Sequence, residues 1–278
     1  MQKNITIVGA GLVGSLAALY LTKRGHKVTI FERRKDLRSE IITAGKSINL
    51  ALSKRGWTAL EKVGMHKQVM DIAIAMDKRI MHDEKGNLTQ QPYGNEGEAI
   101  YSVSRAELNV LMMEMVEQNG ATLYFDEKCV DSNLEEAIAT FQNANTSIKQ
   151  TVSADVLIGA DGAFSAVRKQ MVAKHNHEYN YNEIEHDYKE LLIPAGKNGT
   201  HLLDKNALHI WPRGEFMLIA LANLDGSFTC TLFAPKTGED SFEKLNSKEK
   251  VESYFEKVFP DFREMTPNLY EQWKNNCL

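Results

Sequence analysis

The chain has 278 residues, 43% of them hydrophobic and 25% charged, with a formal net charge of −4. That is enough chain for one large or two modest domains with a sizeable core, and the composition excludes a disordered protein. A small negative charge gives no general attraction to nucleic acid, so an anionic ligand needs a local basic site.

Cys129, Cys230 and Cys277 are far apart and form no CxxC or Cys/His cluster, which points to a reducing compartment without disulfides or structural zinc. The N-terminus passes from Met1 into a strand without the succession of a signal peptide, and no run approaches the ~18 apolar residues of a membrane span. The expectation is a soluble, cytoplasmic chain.

In chain order, Ile5 to Val8 is a β-branched strand. Gly14 to Arg24 has helical composition with Leu16, Leu19 and Tyr20 on one side, Gly25 stands where a helix ends, and Lys27 to Phe31 is a second strand. A polar connection from about Asp36 to Ser47 precedes a helix over Lys54 to Val63 that stops at Gly64. A helix from Arg105 to Gln118 leads into the strand Thr122 to Phe125. Thr151 to Ile158 alternates as a strand, closes on Gly159-Ala160-Asp161-Gly162, and is followed by a helix from Phe164 to Lys174. Beyond about Asn176, His209 to Trp211, Phe216 to Leu221 and Phe228 to Phe233 are strands separated by Pro212-Arg213-Gly214 and Asp225-Gly226 turns, the pattern of an antiparallel sheet.

The strongest local signal is the first strand running into Gly9-Ala10-Gly11-Leu12-Val13-Gly14 and then a helix. Gly9 permits the tight turn, Gly11 lets a pyrophosphate approach the backbone, and Gly14 lets helix and strand pack closely, with the helix N-terminus attracting phosphate. Glu32 ends the next strand about 20 residues on, where a carboxylate accepts hydrogen bonds from the adenosine ribose hydroxyls. An acid there disfavours the ribose phosphate of NADP, because two negative charges would meet. The unit alone leaves NAD and FAD open.

The stretch Gly159-Ala160-Asp161-Gly162-Ala163-Phe164-Ser165-Ala166-Val167-Arg168 resembles the D-G-x-x-S-x-V-R motif of the FAD-dependent aromatic hydroxylases. Three further words, Gly45-Lys46-Ser47-Ile48-Asn49-Leu50-Ala51-Leu52-Ser53, Tyr101 to Asn109 and Leu208-His209-Ile210-Trp211-Pro212-Arg213-Gly214, look like the kynurenine 3-monooxygenase family within that group. The resemblance runs from the first glycines to about Phe233. It implies an α/β fold: a Rossmann-like FAD-binding domain of the glutathione-reductase type with an antiparallel β-sheet substrate layer. The FAD-binding domain is expected over 1–175, discontinuous and including a substrate-contacting segment of about 76–100. The substrate-side sheet is expected over 176–278.

The resemblance also implies roles for single residues. FAD contacts fall to Gly9, Gly11, Leu12, Val13, Gly14, Glu32, Arg33, Arg34, Ala51, Arg105, Cys129 and Asp161. Arg79 and Tyr93 match the family's pair for the kynurenine carboxylate, where Arg offers a two-pronged donor and Tyr a hydroxyl. Leu208, Ile219, Leu221 and Phe233 match the slot for the aromatic ring, and Ile219 and Leu221, two apart on a strand, share a face. Lys46 stands where the family has Arg, keeping charge but losing the planar fork.

The activity implied is FAD- and NADPH-dependent hydroxylation of L-kynurenine to 3-hydroxy-L-kynurenine with dioxygen. No catalytic side chain and no metal are required, because the flavin carries the chemistry. The G-D segment that follows the substrate sheet in flavin hydroxylases has no counterpart. Trp273 to Leu278 is polar with no evident closing element, so a truncated chain is expected. The competing readings are a short, non-catalytic flavin- or nucleotide-binding module, and an NAD-dependent dehydrogenase on a plain Rossmann unit, against which the Asp161-Gly162 motif and the Leu208–Phe233 sheet argue.

Overall fold

The computed structural model describes residues 1–39, 48–175 and 179–276, so Lys46 and Cys277 lie outside the described residues. Two compact units form by contact: Met1–Ile41, Ala59–His66 and Ala106–Tyr181 make unit 1, and Ile42–Thr58, Lys67–Arg105 and Asn182–Leu278 make unit 2. The segment 76–100 falls in unit 2.

Unit 1 is built on a four-stranded parallel sheet in the order Val156–Gly159, Asn4–Val8, Lys27–Phe31, Thr122–Tyr124. Parallel neighbours need a crossover, and the helix Leu12–Thr22 supplies the first. Its buried positions are Gly14, Ser15, Ala18 and Leu19, not the expected stripe of Leu16, Leu19 and Tyr20. Small side chains let the helix lie close to its neighbours and leave Leu16 and Tyr20 half-buried. Gly25, at φ +82°, ends the helix by letting the N–H groups of Gly25 and His26 turn back to the carbonyls of Thr22 and Leu21.

The strand expected over Thr151–Ile158 is in fact two strands in different sheets. Lys149–Ser153 joins Ile138–Asn143 and Glu127–Asn133 in a three-stranded antiparallel sheet, whereas Val156–Gly159 joins the parallel one. The switch occurs at Asp155, whose carboxylate accepts the Asn4 N–H at 2.7 Å while its own N–H donates to the Asn4 carbonyl. Phe31 stacks on Tyr124 and Phe141, with ring centroids 5.0 and 3.9 Å apart, and anchors a core shared with Val8, Cys129, Ala139 and Val167.

Unit 2 holds a six-stranded sheet in the order His186–Ile193, Phe228–Pro235, Phe216–Ala222, Ala207–Arg213, Lys78–His82, Leu88–Pro92. All its pairings are antiparallel except that of Lys78–His82 with Ala207–Arg213. The last two strands of the order form a hairpin closed by Asp83, whose carboxylate accepts the N–H groups of Lys85 and Asn87, with Gly86 at φ +80°. A second, three-stranded antiparallel sheet has the order Asn49–Leu52, Ile100–Ser104, Ala73–Met76.

The stretch after the sheet, for which no element was foreseen, forms the helices Lys248–Val258, Pro260–Met265 and Leu269–Asn275. Ser247 caps the first of them, accepting the Lys250 N–H. Val251, Phe255, Phe259, Phe262 and Leu269 are buried against Leu191, Ile193, Trp211, Leu218, Phe228 and Leu232 of the sheet. Each such buried side chain contributes about 1.5–3 kcal/mol, so one sheet face is committed to this core. Among the described residues, no helix is long and apolar enough to cross a membrane.

Candidate functional site

In unit 1 the two glycine motifs meet. Val8 and Gly159 are register partners, and the Ala160 N–H donates to the Val8 carbonyl at 2.8 Å. Gly9 sits at φ +103°, and a Cβ there would stand 2.6 Å from the Ala160 carbonyl oxygen. A Cβ on Gly14 would stand 1.9 Å from the Gly9 carbonyl oxygen. Gly11 is different: a Cβ there would meet nothing within 4 Å. Gly9 and Gly14 are therefore glycines because protein crowds them, whereas Gly11 opens onto free space. Gly11 also precedes the helix Leu12–Thr22, whose N-terminus no side chain caps, so its positive dipole end faces that space. Val13 is exposed and Leu12 half-buried on the same turn. This is a cradle that a diphosphate fits.

Glu32 is buried at 6% exposure. Its Oε2 accepts the Ala10 N–H at 2.8 Å, and its Oε1 accepts both the backbone N–H and Nε of Arg34 at 3.0 Å. Burial pushes the carboxyl up, but the bonds from Ala10 and Arg34 outweigh it and hold the group below the usual carboxylate range. Oε1 is filled by two donors, while Oε2 keeps one lone pair, enough for one hydroxyl. Arg33 is exposed beside it.

Asp161 is committed to its own loop. Oδ1 accepts the Ser165 hydroxyl at 2.6 Å and Oδ2 accepts the Ala166 N–H at 2.6 Å, capping the helix Ala166–His175. The expected helix start at Phe164 moves to Ala166 for this reason, leaving Phe164 exposed. Ser165 Oγ in turn accepts the Arg168 N–H, and the Arg168 guanidinium donates to the Ala163 carbonyl. The D-G-x-x-S-x-V-R word is thus a self-bonded turn that sets Ala160 against Gly9 and Gly14. Cys129 lies in the core behind it, its thiol pushed up to about 11 by burial and by the Asp161 charge.

Ala51 belongs to the small sheet of unit 2, and Arg105 opens the helix Arg105–Gln118 directly after the strand Ile100–Ser104 of that sheet. Ala51 is exposed in register with Ser102, and the Arg105 N–H donates to the Ile48 carbonyl. Asn49 donates to Asn223 Oδ1 at 2.8 Å and to Ser102 Oγ at 3.0 Å, and the Ser102 hydroxyl donates to the Ala222 carbonyl at 2.8 Å. Two of the words noted in the sequence are thereby tied to the end of one large-sheet strand.

The register of the large sheet puts Arg79, Leu208, Ile219, Leu221 and Phe233 on one face. Arg79 pairs with Leu208, Ile210 with Ile219, Ile219 with Thr231, and alternation carries the set to Leu221 and Phe233. This face is opposite the one the three helices cover, which takes Ile80, His209, Trp211, Leu218 and Leu232. Tyr93 follows the strand Leu88–Pro92, held by its N–H to the Asp77 carbonyl at 2.9 Å, and its ring lies 4.9 Å from the Arg79 guanidinium carbon. Nε of Arg79 is buried with no partner among the described residues. Burial pushes the Tyr93 hydroxyl up, with the Arg79 charge opposing. A two-pronged cation, a phenol and an apolar floor are what an aromatic amino acid requires.

Sequence reasoning missed Thr231 and Glu190, which the pairings Ile219–Thr231 and Thr231–Glu190 put on the same face. Burial pushes the Glu190 carboxyl up, with the Arg105 charge opposing. The two-residue alternation that links Ile219 with Leu221, applied to Phe233 on its own strand, would have found Thr231; Glu190 carried no signal, because its strand was not foreseen.

Comparison with known proteins gives a consistent picture. The FAD binding domain family matches residues 2–268. Kynurenine 3-monooxygenases of Christiangramia forsetii and Flavobacterium johnsoniae are 46% and 49% identical over 99% and 98% of this chain, and that of Dictyostelium discoideum is 44% identical over 99%. The chain spans 61%, 61% and 59% of the length of these relatives. Among solved structures, the tetrameric form of 2-methyl-3-hydroxypyridine-5-carboxylic acid oxygenase matches with a TM-score of 0.74 at 18% identity, over 98% of this chain and 68% of that one. The flavin-dependent monooxygenase PieE matches with a TM-score of 0.70 at 18% identity, over 94% and 47%. At such identities these two speak for the fold.

Proposed function

The chain belongs to the FAD binding domain family, and from that premise we propose that it serves hydroxylation of L-kynurenine to 3-hydroxy-L-kynurenine, with NADPH as reductant and dioxygen as oxygen source. The balance is one kynurenine, NADPH, proton and dioxygen giving one hydroxylated product, NADP⁺ and water. The observation that carries this reading is the Arg79–Tyr93 pair, stacked at 4.9 Å beside a single sheet face bearing Leu208, Ile219, Leu221 and Phe233. Free, buried Cys129 and Cys230 support a reducing compartment such as the cytoplasm.

In this reading unit 1 holds the nucleotide end of FAD. Gly11 admits the diphosphate to the backbone at the helix N-terminus, and Glu32 Oε2 takes a ribose hydroxyl. Leu12, Val13, Arg33 and Arg34 border that grip, and Asp161 and Cys129 shape its wall. FAD, when bound, supplies the redox chemistry between NADPH and dioxygen. In unit 2 Arg79 binds the kynurenine carboxylate through its fork and Tyr93 fixes its orientation by a hydroxyl donor. Leu208, Ile219, Leu221 and Phe233 hold the ring by apolar contact and exclude water from the reacting carbon. The aniline nitrogen of kynurenine already enriches that carbon in electrons, so no protein base is required.

The test is to purify the protein, record its flavin absorbance, and follow NADPH oxidation with and without kynurenine. Bound yellow flavin and kynurenine-stimulated oxidation with 3-hydroxykynurenine formed are expected. Flavin binding without product would instead favour a non-catalytic flavin-binding module, and colourless protein that refuses added FAD would overturn both.

A further inference from the structure

The word Leu208-His209-Ile210-Trp211-Pro212-Arg213-Gly214 alternates between two faces, and the half that faces the helices has no part in the substrate face. There, His209, Trp211 and Arg213 are all buried. His82, at 2% exposure, places Nδ1 2.6 Å from Asp261 Oδ2 and Nε2 2.9 Å from His209 Nδ1. His209, also at 2% exposure, places its Nε2 2.9 Å from the Asp204 carbonyl oxygen. Trp211 donates its Nε1–H to both Asp261 oxygens at 2.9 Å, and its ring stacks on His82 with centroids 4.0 Å apart.

Counting hydrogens along this chain fixes its protonation. A carbonyl oxygen only accepts, so His209 Nε2 carries hydrogen. Asp261 accepts from Trp211 and is held below the usual carboxylate range, burial opposing but the His82 and Trp211 bonds winning, so His82 Nδ1 carries hydrogen. The contact between the rings needs a third. Two neutral imidazoles hold only two ring hydrogens, so one ring is charged. The carboxylate and the indole face lie on the His82 side, whereas burial pushes His209 down to about 4.

We propose that His82 is a buried imidazolium whose proton acts as a pH-sensitive brace, fastening the helix Pro260–Met265 to the paired strands Lys78–His82 and Ala207–Arg213. The strand so braced carries Arg79 on its other face. The charged groups around the brace are Asp261 from the helix, Asp204 from the preceding loop with Lys78 at 3.0 Å from its carboxylate, and Arg213 from the strand. The Arg213 guanidinium donates to the carbonyls of His82, Asp83 and Val258, and the charges of Asp83 and Glu84 act on it from the turn. Phe228 and Phe262 close the remaining sides with rings.

The sign of the pH dependence follows. Raising the pH removes the third hydrogen and sets two ring lone pairs against each other, so the brace weakens on the alkaline side. On the acid side, His209 is neutral in the fold down to about 4 but takes a proton near 6.5 when unfolded, so stability also falls between those values as pH falls.

Nitrogen-15 NMR of histidine-labelled protein at pH 7 tests the assignment, with thermal unfolding followed from pH 5 to 9. The expected spectrum shows both ring nitrogens of His82 protonated and His209 as the Nε2–H form, with a melting temperature that declines on the alkaline side. D261N is expected to lose the charged signature and melt about 10 °C lower. H82F, which keeps a ring on Trp211 without a proton, is expected to lose the alkaline decline. Two neutral rings at pH 7, or a charge found on His209, would overturn the proposal. Should either variant fail to fold, the spectrum of the unmodified protein still decides.

Discussion

The glycine turn of unit 1 and the sheet face of unit 2 are made of different materials. At the turn the protein offers backbone: a helix N-terminus, two glycines crowded by carbonyl oxygens, and one glycine opening onto space. On the sheet face it offers side chains, brought together from strands more than a hundred residues apart. A site made of backbone tolerates few changes at the points that form it, because any Cβ is an obstacle. A site made of side chains tolerates substitution structurally and loses only what each group does.

Substitution at the glycines breaks this comparison most directly. Gly14→Ala puts a methyl carbon 1.9 Å from the Gly9 carbonyl, and helix and strand must separate, at a cost of about 3 kcal/mol or more. Unit 1 is expected to lose its cooperative thermal transition. Gly11→Ala meets nothing, so the melting curve should stay within about 0.5 kcal/mol of the parent while FAD affinity falls at least ~10-fold in a fluorescence titration. Equal melting losses in both variants would erase the distinction between crowded and open glycines.

The sheet face predicts the opposite pattern. Arg79→Lys keeps the charge and loses both the fork and the guanidinium held over the Tyr93 ring at 4.9 Å. The apparent KM for kynurenine is expected to rise roughly 10- to 100-fold, equivalent to about 1.4–2.8 kcal/mol, with the melting temperature unchanged. An unchanged KM alongside a lowered melting temperature would make the Arg79–Tyr93 pair a structural contact only.

How much of this was legible in the sequence follows from the same contrast. Gly9, Gly11, Gly14 and Glu32 are local, and a strand, a turn, a helix and a second strand within one stretch of chain identify them. The large sheet was half legible: the three strands between Ala207 and Pro235 announced themselves by turn residues, whereas Lys78–His82 and Leu88–Pro92 needed the Asp83-to-Asn87 turn to be read as a hairpin. The helix Lys248–Val258 could have been found, since Val251, Tyr254, Phe255 and Val258 recur at helical spacing after a Ser247 cap. Asp155 hid the break between two strands because Ala154-Asp155 continues the alternation, and only the bond to Asn4 reveals it. The His82–His209–Asp261 contacts join residues 127 and 179 positions apart, and no local pattern encodes them.

Glu32 stands between the two materials, a side chain locked by backbone. Glu32→Gln keeps one carbonyl acceptor but loses the charge that Arg34 and Ala10 satisfy. FAD binding is expected to weaken about 10-fold, in line with ~1.5 kcal/mol for a charged hydrogen bond. Because the carboxyl is held below its ordinary value, its contribution to stability is present above about pH 4.5 and is lost as the pH falls through the folded value. The glutamine variant should lack that part of the acid limb in a melt series from pH 6 to 3.

The smallest effect separates capping from cofactor contact at Asp161. Its carboxylate is engaged by Ser165 and the first N–H groups of the Ala166–His175 helix. Asp161→Ala therefore removes a cap, worth about 1 kcal/mol, or roughly 2–4 °C in melting temperature for a protein of this size. Asp161→Asn retains an amide oxygen for one of those donors and should lose less. If the residue acts only through the loop, FAD affinity in the two variants will track the melting losses, because the loop sets Ala160 against Gly9 and Gly14. If instead the carboxylate touches the cofactor, the asparagine variant will bind FAD far more weakly than its melting temperature accounts for, and the acid is a direct ligand.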